Sequence, residues 1–396
     1  MICYCNFVID FVYIRWFNTL SDNISLMNTV NLINTSNLSS FVFFREMRVQ
    51  RGCGQNFKST KLAPNFFPKK AYVIHLRNLQ FCLSEGVQLV KVRRAIRFNQ
   101  KAWIAPYIAE NTRLRQQAVD SFEKDYYKLL NNAFFGKTME NVRRRVKIVL
   151  VNGERSHAWQ TSKPTYKRFQ IFDENLVGVE LAQSNIQLDK PIYVGFTVLE
   201  LSKLLMYKFH FEVMKPNFPE SVLCFTDTDS FLYHLTCVNL YGDHLHRLRD
   251  HFDFSNLAVD NPLFSNVNRA VVGKFKDETS GVPIQEFIGL RSKCYSILTD
   301  AGVQKNTAAG VKKCVRDKEL NHELYRKILQ DPVMIIPSDQ SLEDHFIHQM
   351  TFRSHNHTVY SVDQFKVGLT RYDDKRWILQ DGVTTRPHGH YLNSCD

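Results

Sequence analysis

Phe225-Thr226-Asp227-Thr228-Asp229-Ser230 lies between two apolar runs, Val222-Leu223-Cys224 before it and Phe231-Leu232-Tyr233 after it. An apolar run, a short polar tip and a second apolar run predict a β-hairpin, and in extended chain residues i and i+2 face the same side. Asp227 and Asp229 are therefore expected to converge. Two unit charges about 5 Å apart repel by roughly 3 kcal/mol at an effective dielectric of about 20, so such a pair calls for a cation. Hard carboxylate oxygens favour Mg²⁺ or Mn²⁺. The plainer alternative is a turn in which Asp and Ser cap their own backbone.

Working upstream, Leu199, Leu201, Leu204, Leu205 and Met206 predict a helix from about Phe196 to Val213, ending ahead of Lys215-Pro216-Asn217. Farther back, Val119, Phe122, Tyr126, Leu129, Leu130, Ala133 and Phe134 recur at helical spacing within residues 118–145. Lys124, Lys128, Asn132 and Phe135 or Gly136 are spaced by three or four and share the opposite face of that helix. Taken alone, such a face reads as solvated surface. The cluster Arg143-Arg144-Arg145 beyond it suits template phosphates and a solvated helix end equally, and is assigned to neither.

Downstream, the stretches around Val271 to Lys276 and Phe287 to Ile297 alternate apolar and charged residues, as strands of a mixed sheet do. Lys293 and Tyr295, two apart on such a strand, are expected to point the same way. Past Asp317 the pattern turns helical and then irregular.

The 396 residues, 44% hydrophobic and 13% aromatic, suffice for two or three subdomains around a substantial core. Lys and Arg outnumber Asp and Glu by 51 to 39, a net +12 that favours a polyanionic partner such as nucleic acid or an anionic surface. Nine scattered cysteines without CxxC spacing suggest neither a disulfide framework nor a zinc site, and a reducing intracellular compartment fits best. The apolar runs Phe7-Val8-Ile9 and Phe11 to Ile14 are interrupted by Asp10 and Arg15. Neither a spanning helix, a signal peptide nor a membrane partner is expected. Residues 18–60 are rich in Asn, Ser and Thr without sustained periodicity, so 1–60 is set apart as a segment of foreign or disordered character.

Lys128-Leu129-Leu130-Asn131-Asn132-Ala133-Phe134-Phe135-Gly136 resembles the KxxxNSxYG motif of family B DNA polymerases, and Phe225 to Ser230 resembles the YxDTDS motif of the same family. Lys293-Cys294-Tyr295, within Gly289 to Ser296, resembles the KxY element that follows that motif. Gly273-Lys274-Phe275-Lys276-Asp277-Glu278 and Tyr372-Asp373-Asp374-Lys375-Arg376 resemble strings of the protein-primed branch, carried by viruses and Polinton-like mobile elements. The resemblance runs over about residues 62 to 391.

It implies an α+β right-hand polymerase, with a palm of mixed or antiparallel sheet, helical fingers and a thumb. Palm and fingers would occupy 61–315, and 316–396 would be thumb-like. It further implies DNA synthesis from dNTP on a primer-template by two Mg²⁺ or Mn²⁺ ions. Asp227 and Asp229 would hold the metal, Lys128 the triphosphate, Asn132, Phe135 and Gly136 the nascent base pair, and Lys293 and Tyr295 the primer terminus. A terminal protein supplying the priming hydroxyl is the implied partner of that branch.

This chain departs from the family in several places. Ala133 and Phe135 stand where the family has Ser and Tyr, and Phe225 where it has Tyr, each lost hydroxyl bond being worth about 1 kcal/mol. A further metal-binding aspartate belongs upstream of the fingers, and Asp10, in Val8 to Tyr13, is the candidate, without the motif's proline. No proofreading region is legible, so an N-terminally truncated polymerase of weak or no activity is expected. Two alternatives remain open: a reverse transcriptase, whose carboxylates are adjacent rather than separated as here by Thr228, and a non-catalytic nucleic-acid-binding remnant.

Overall fold

The computed structural model describes residues 62–99, 101–237, 240–269, 271, 273–331, 345–355 and 357–394, with the backbone alone of 10–16, 26–34, 43–50, 58–61, 243 and 394. The Phe7-Val8-Ile9 run and 332–344 lie outside the described residues. Helices and small antiparallel sheets mix along the chain. Two compact units form, the first from Met1–Pro106, Leu199–Gln349 and Phe365–Asp396, the second from Tyr107–Val198 with Met350–Gln364.

The first unit begins with β1 (Asp10–Trp16), β2 (Leu26–Asn34), β3 (Phe43–Gln50), β4 (Lys58–Asn65), β5 (Lys69–His75), α1 (Leu76–Ser84) and β6 (Val87–Arg97). β2 lies between β5 and β6, and β3 pairs with β4. The segment 18–60, which the sequence sets apart, thus supplies strands to sheets completed by later residues. Strand formation depends on a cross-strand partner more than on local preference, so composition alone misses it.

The second unit holds α2 (Ala105–Gln117) and α3 (Ser121–Thr138). Asp120 caps α3 by accepting from the Glu123 N–H at 2.7 Å. The Tyr107 and Phe134 rings lie 6.3 Å apart and Asn111 Nδ2 donates to Asn131 Oδ1 at 2.9 Å, so α2 and α3 run antiparallel. The apolar stripe of α3 is not a core face: Phe122 is 78% and Leu129 61% exposed. Helical periodicity reports that a helix has two unlike faces, not that anything covers one. Beyond α3, Arg145 pairs with Glu140 at 2.7 Å and, with Lys137, lowers the Glu140 pKa to about 2. β7 (Lys147–Val151), α4 (Glu154–Thr161), β8 (Tyr166–Asp173) and β9 (Leu176–Leu181) follow, in a sheet ordered β7-β9-β8 with Val151, Val179 and Leu181 buried.

α5 (Ile192–Lys208) carries the chain back into the first unit and runs on through a π-helical turn, Phe209–Met214, into α6 (Lys215–Asn217). The helical run passes the expected stop and closes at Asn217, with the π-helical turn lying just ahead of Pro216. The wider turn buries Phe209, His210, Val213 and Met214 together. Phe209 stacks on Phe275 with ring centres 3.8 Å apart, and His210 Nδ1 bonds the Tyr233 hydroxyl at 2.9 Å.

That helix packs against β10 (Val222–Thr226), β11 (Ser230–Leu235), α7 (Leu245–Arg247) and β12 (Phe275–Asp277), burying Phe231, Tyr233, Leu235, Leu245 and Phe252. The sheet order is β10-β11-β1-β12, all antiparallel. β13 (Ile284–Arg291), β14 (Cys294–Thr299) and β15 (Gln304–Ala308) form a meander, capped by α8 (Lys313–Glu319) and α9 (His322–Gln330). Buried His322 fastens α9 to it, with Nδ1 2.7 Å from Ser296 Oγ and Nε2 3.1 Å from Glu286 Oε2, while Arg326 also pairs with Glu286. Past α9 the described residues add two strand pairs to a stretch that the sequence reads as irregular: β16 (Phe346–His355) with β17 (Thr358–Val367), and β18 (Trp377–Ile378) with β19 (Thr385–Arg386). Among the described residues no helix is long and apolar enough to cross a membrane.

Candidate carboxylate site at the hairpin tip

β10 and β11 form the hairpin that the sequence predicts, pairing Val222 with His234 and Thr226 with Phe231 across a bulge at Cys224. The tip is tighter than extended chain. Asp229 N–H donates to the Asp227 carbonyl at 2.6 Å around Thr228 at φ +56°, a γ-turn of the strained positive-φ kind. Asp227 N–H donates in turn to the Ser230 carbonyl at 3.2 Å and closes the loop. The two carboxylates therefore spring from the ends of one hydrogen-bonded turn rather than from one face of a strand. Both residues are half-buried.

The second element reaching this tip is the turn between β13 and β14. Arg291 pairs with Cys294, which leaves Ser292 and Lys293 as the turn itself. Lys293 is thus not on a strand beside Tyr295, as its spacing suggests, but at φ +58° at the turn's end. Its Nζ lies 3.1 Å from Asp227 Oδ2, with 62% of the lysine and 36% of the aspartate side chain exposed.

Tyr295 points elsewhere, since a turn residue and a strand residue two apart do not share a face. It is 7% exposed and packs its ring 4.6 Å from Phe225 and 6.0 Å from Phe287. Leu232, Ile284 and Ile297 close the same cluster. The tyrosine is therefore a prop that joins the two hairpins, and its partner Phe287 lies on β13, within the stretch that the sequence reads as strand.

Asp10 does not reach the tip. β1 runs antiparallel to β11 with Asp10 opposite Leu235 and Arg15 opposite Ser230. Five residues of strand, about 17 Å, separate Asp10 from the level of the turn. The position on β1 level with the tip is a basic one, Arg15 opposite Ser230. Among the described residues no group of three or more His, Cys, Asp or Glu could share a metal ion. The oxygens of Asp227 and Asp229 are the donor type that Mg²⁺ and Mn²⁺ take, and a cation, the Lys293 ammonium, already sits on one of them.

Asp277, in a string that drew attention by resemblance, serves the scaffold. Its carboxylate accepts from Thr279 N–H, Thr279 Oγ1, Gly281 N–H and the Tyr241 hydroxyl at 2.6 to 2.9 Å, fixing the turn after β12.

Lys128, Asn132, Phe135 and Gly136 belong to α3, in the second unit. Helical spacing places the first three on one face, with Asn132 exposed and Lys128 and Phe135 half-buried. Lys128 has no ion-pair partner among the described residues. A Cβ built on Gly136 would meet nothing within 4 Å, so the glycine leaves open space rather than seating a neighbour.

Comparison of the chain with protein-family models, with curated proteins and with solved structures returned no match.

Proposed function

We propose that the chain carries the polymerase region of a family B DNA polymerase of the protein-primed type, a right-hand fold that extends a primer 3′ hydroxyl with dNTP on a DNA template. The observation that carries this reading is the meeting of two separate sequence motifs: the Asp-Thr-Asp tip and the Lys-Cys-Tyr turn are joined by the Asp227 to Lys293 contact at 3.1 Å and the Phe225 to Tyr295 contact at 4.6 Å. Chemistry with charge on both attacking and leaving oxygens needs carboxylates and a nearby cation at one place.

In this reading Asp227 and Asp229 bind divalent metal, which supplies Lewis-acid activation of the primer hydroxyl and charge neutralisation at the triphosphate. Lys293 serves the primer's terminal phosphate, Tyr295 holds the two hairpins together, and Lys128 with Asn132 and Phe135 serves the incoming nucleotide. The net charge of +12 suits a nucleic-acid partner.

A second reading, a nucleic-acid binder without catalysis, is favoured by the β1 register, which sets Arg15 rather than a carboxylate level with the tip. One assay separates them. Primer extension on a DNA template with Mg²⁺ and with Mn²⁺ gives synthesis that Asp229→Ala abolishes if the first holds. Salt-sensitive primer-template binding with no incorporation in either metal establishes the second. Absence of both binding and synthesis rejects the two together.

A further inference from the structure

We infer that Lys293 is the resident cation of the hairpin tip, and that a divalent ion binding at Asp227 displaces it and frees its ammonium for primer phosphate. The inference rests on the polymerase reading and adds a coupling to it: metal loading and primer grip become one event.

Three observations carry it. First, Lys293 Nζ touches an oxygen, Asp227 Oδ2, that a metal would need. A lysine ammonium is a compact point charge on a flexible stem, which competes with a metal for the same lone pairs and can swing away without moving the backbone.

Second, the pair is not what holds the fold. With 62% and 36% of the two side chains exposed, an ion pair of this kind adds little stability, whereas the apolar cluster of Phe225, Phe287 and Tyr295 beneath it already joins the hairpins. An occupant that contributes little is one that a doubly charged ion removes at small cost.

Third, the lysine stands where the backbone disfavours it. Lys293 has φ +58°, a conformation that glycine or asparagine adopts more readily, and Thr228 across from it has φ +56°. Two strained side-chain-bearing residues at two facing turn ends are the kind of local cost found where a side chain is needed for its chemistry. The exchange breaks no covalent bond.

The test measures Mn²⁺ affinity of the full chain by the electron paramagnetic resonance signal of free Mn²⁺, at low salt. Lys293→Met is expected to bind Mn²⁺ about fivefold tighter than the unaltered chain, the factor that corresponds to the upper range for an exposed ion pair. The gap should close as salt rises, because screening weakens the competing charge. Lys293→Gly, which suits the left-handed turn, gives the same gain if the charge is the cause, and Lys293→Arg gives none. In parallel, Mn²⁺ should tighten primer-template binding, read by fluorescence anisotropy, in the unaltered chain and not in Lys293→Met.

Equal Mn²⁺ affinity in Lys293→Met, Lys293→Gly and the unaltered chain, with binding lost in Asp227→Asn, overturns the inference and leaves the polymerase reading standing. Mn²⁺ binding that is indifferent to both Asp227→Asn and Asp229→Asn removes the metal-binding hairpin, and both ideas fall.

Discussion

Lys293 Nζ lies 3.1 Å from Asp227 Oδ2, which makes the turn between β13 and β14 a neighbour of the β10–β11 tip although a long stretch of chain separates them. Because the lysine sits at φ +58° in an exposed turn, stability and function should part company there. Lys293→Asn is expected to leave the thermal midpoint unchanged or slightly raised, since asparagine tolerates the left-handed region and the lost exposed ion pair is worth at most about 1 kcal/mol. The same variant should weaken primer-template binding. A fall in midpoint of many degrees with unchanged DNA binding would assign the lysine a purely structural part.

Thr228 is β-branched and held at φ +56° in a γ-turn. Thr228→Gly removes the clash of Cβ with the backbone and is expected to stabilise the chain by about 1 kcal/mol in urea unfolding, less the entropy that glycine adds to the unfolded state. A loss of stability of similar size would mean that the threonine side chain holds the turn.

Tyr295 tests whether the aromatic cluster joins the hairpins. It is 7% exposed against Phe225 and Phe287. Tyr295→Ala is expected to cost about 3 to 5 kcal/mol, and Tyr295→Phe less than about 1.5 kcal/mol because the ring volume is kept. Chemical denaturation of the two variants checks the order, and equal costs would show that the hydroxyl, not the ring, carries the contact.

Lys128 is half-buried on α3 and has no ion-pair partner among the described residues. Lys128→Ala should therefore change unfolding free energy by less than about 0.5 kcal/mol, as alanine is an equally good helix former. Nucleotide affinity, followed by fluorescence of a labelled dNTP, should drop about tenfold or more if the ammonium meets a triphosphate. Unchanged affinity would remove Lys128 from the site.

His210, buried beside Tyr233, has its pKa pulled down to about 4, chiefly by burial and further by Lys215. The unfolded chain takes up that proton near pH 6.5 and the folded chain only near pH 4, so the unfolded state binds more protons in between. Stability is full above about pH 6.5, falls as pH drops through the window to about 4, and is level below it as far as this group is concerned. The total loss is on the order of 3 kcal/mol. Thermal midpoints measured across that window should fall in the unaltered chain and fall less steeply in His210→Phe, with the remaining slope set by other histidines that burial holds below their ordinary value, His75 and His322 among them.

Local pattern determined a good deal of this molecule. Alternating apolar runs around Asp227 and Asp229 marked the hairpin, and 3.6-residue periodicity marked the cores of α3 and α5, because both signals come from the geometry of the chain itself. Positive φ at Thr228 and Lys293 was not legible, since neither residue type announces a left-handed conformation. Nor was the strand character of Leu26–Asn34, whose neighbours β5 and β6 come later in the chain. Only the tertiary structure decided that Lys293 lies on Asp227, that Tyr295 is a buried prop, and that Asp10 stands opposite Leu235, well away from the tip. Those facts depend on strand register and on which turn meets which, and register is set by pairing between distant segments, whereas spacing along the chain reports only what a residue's near neighbours do.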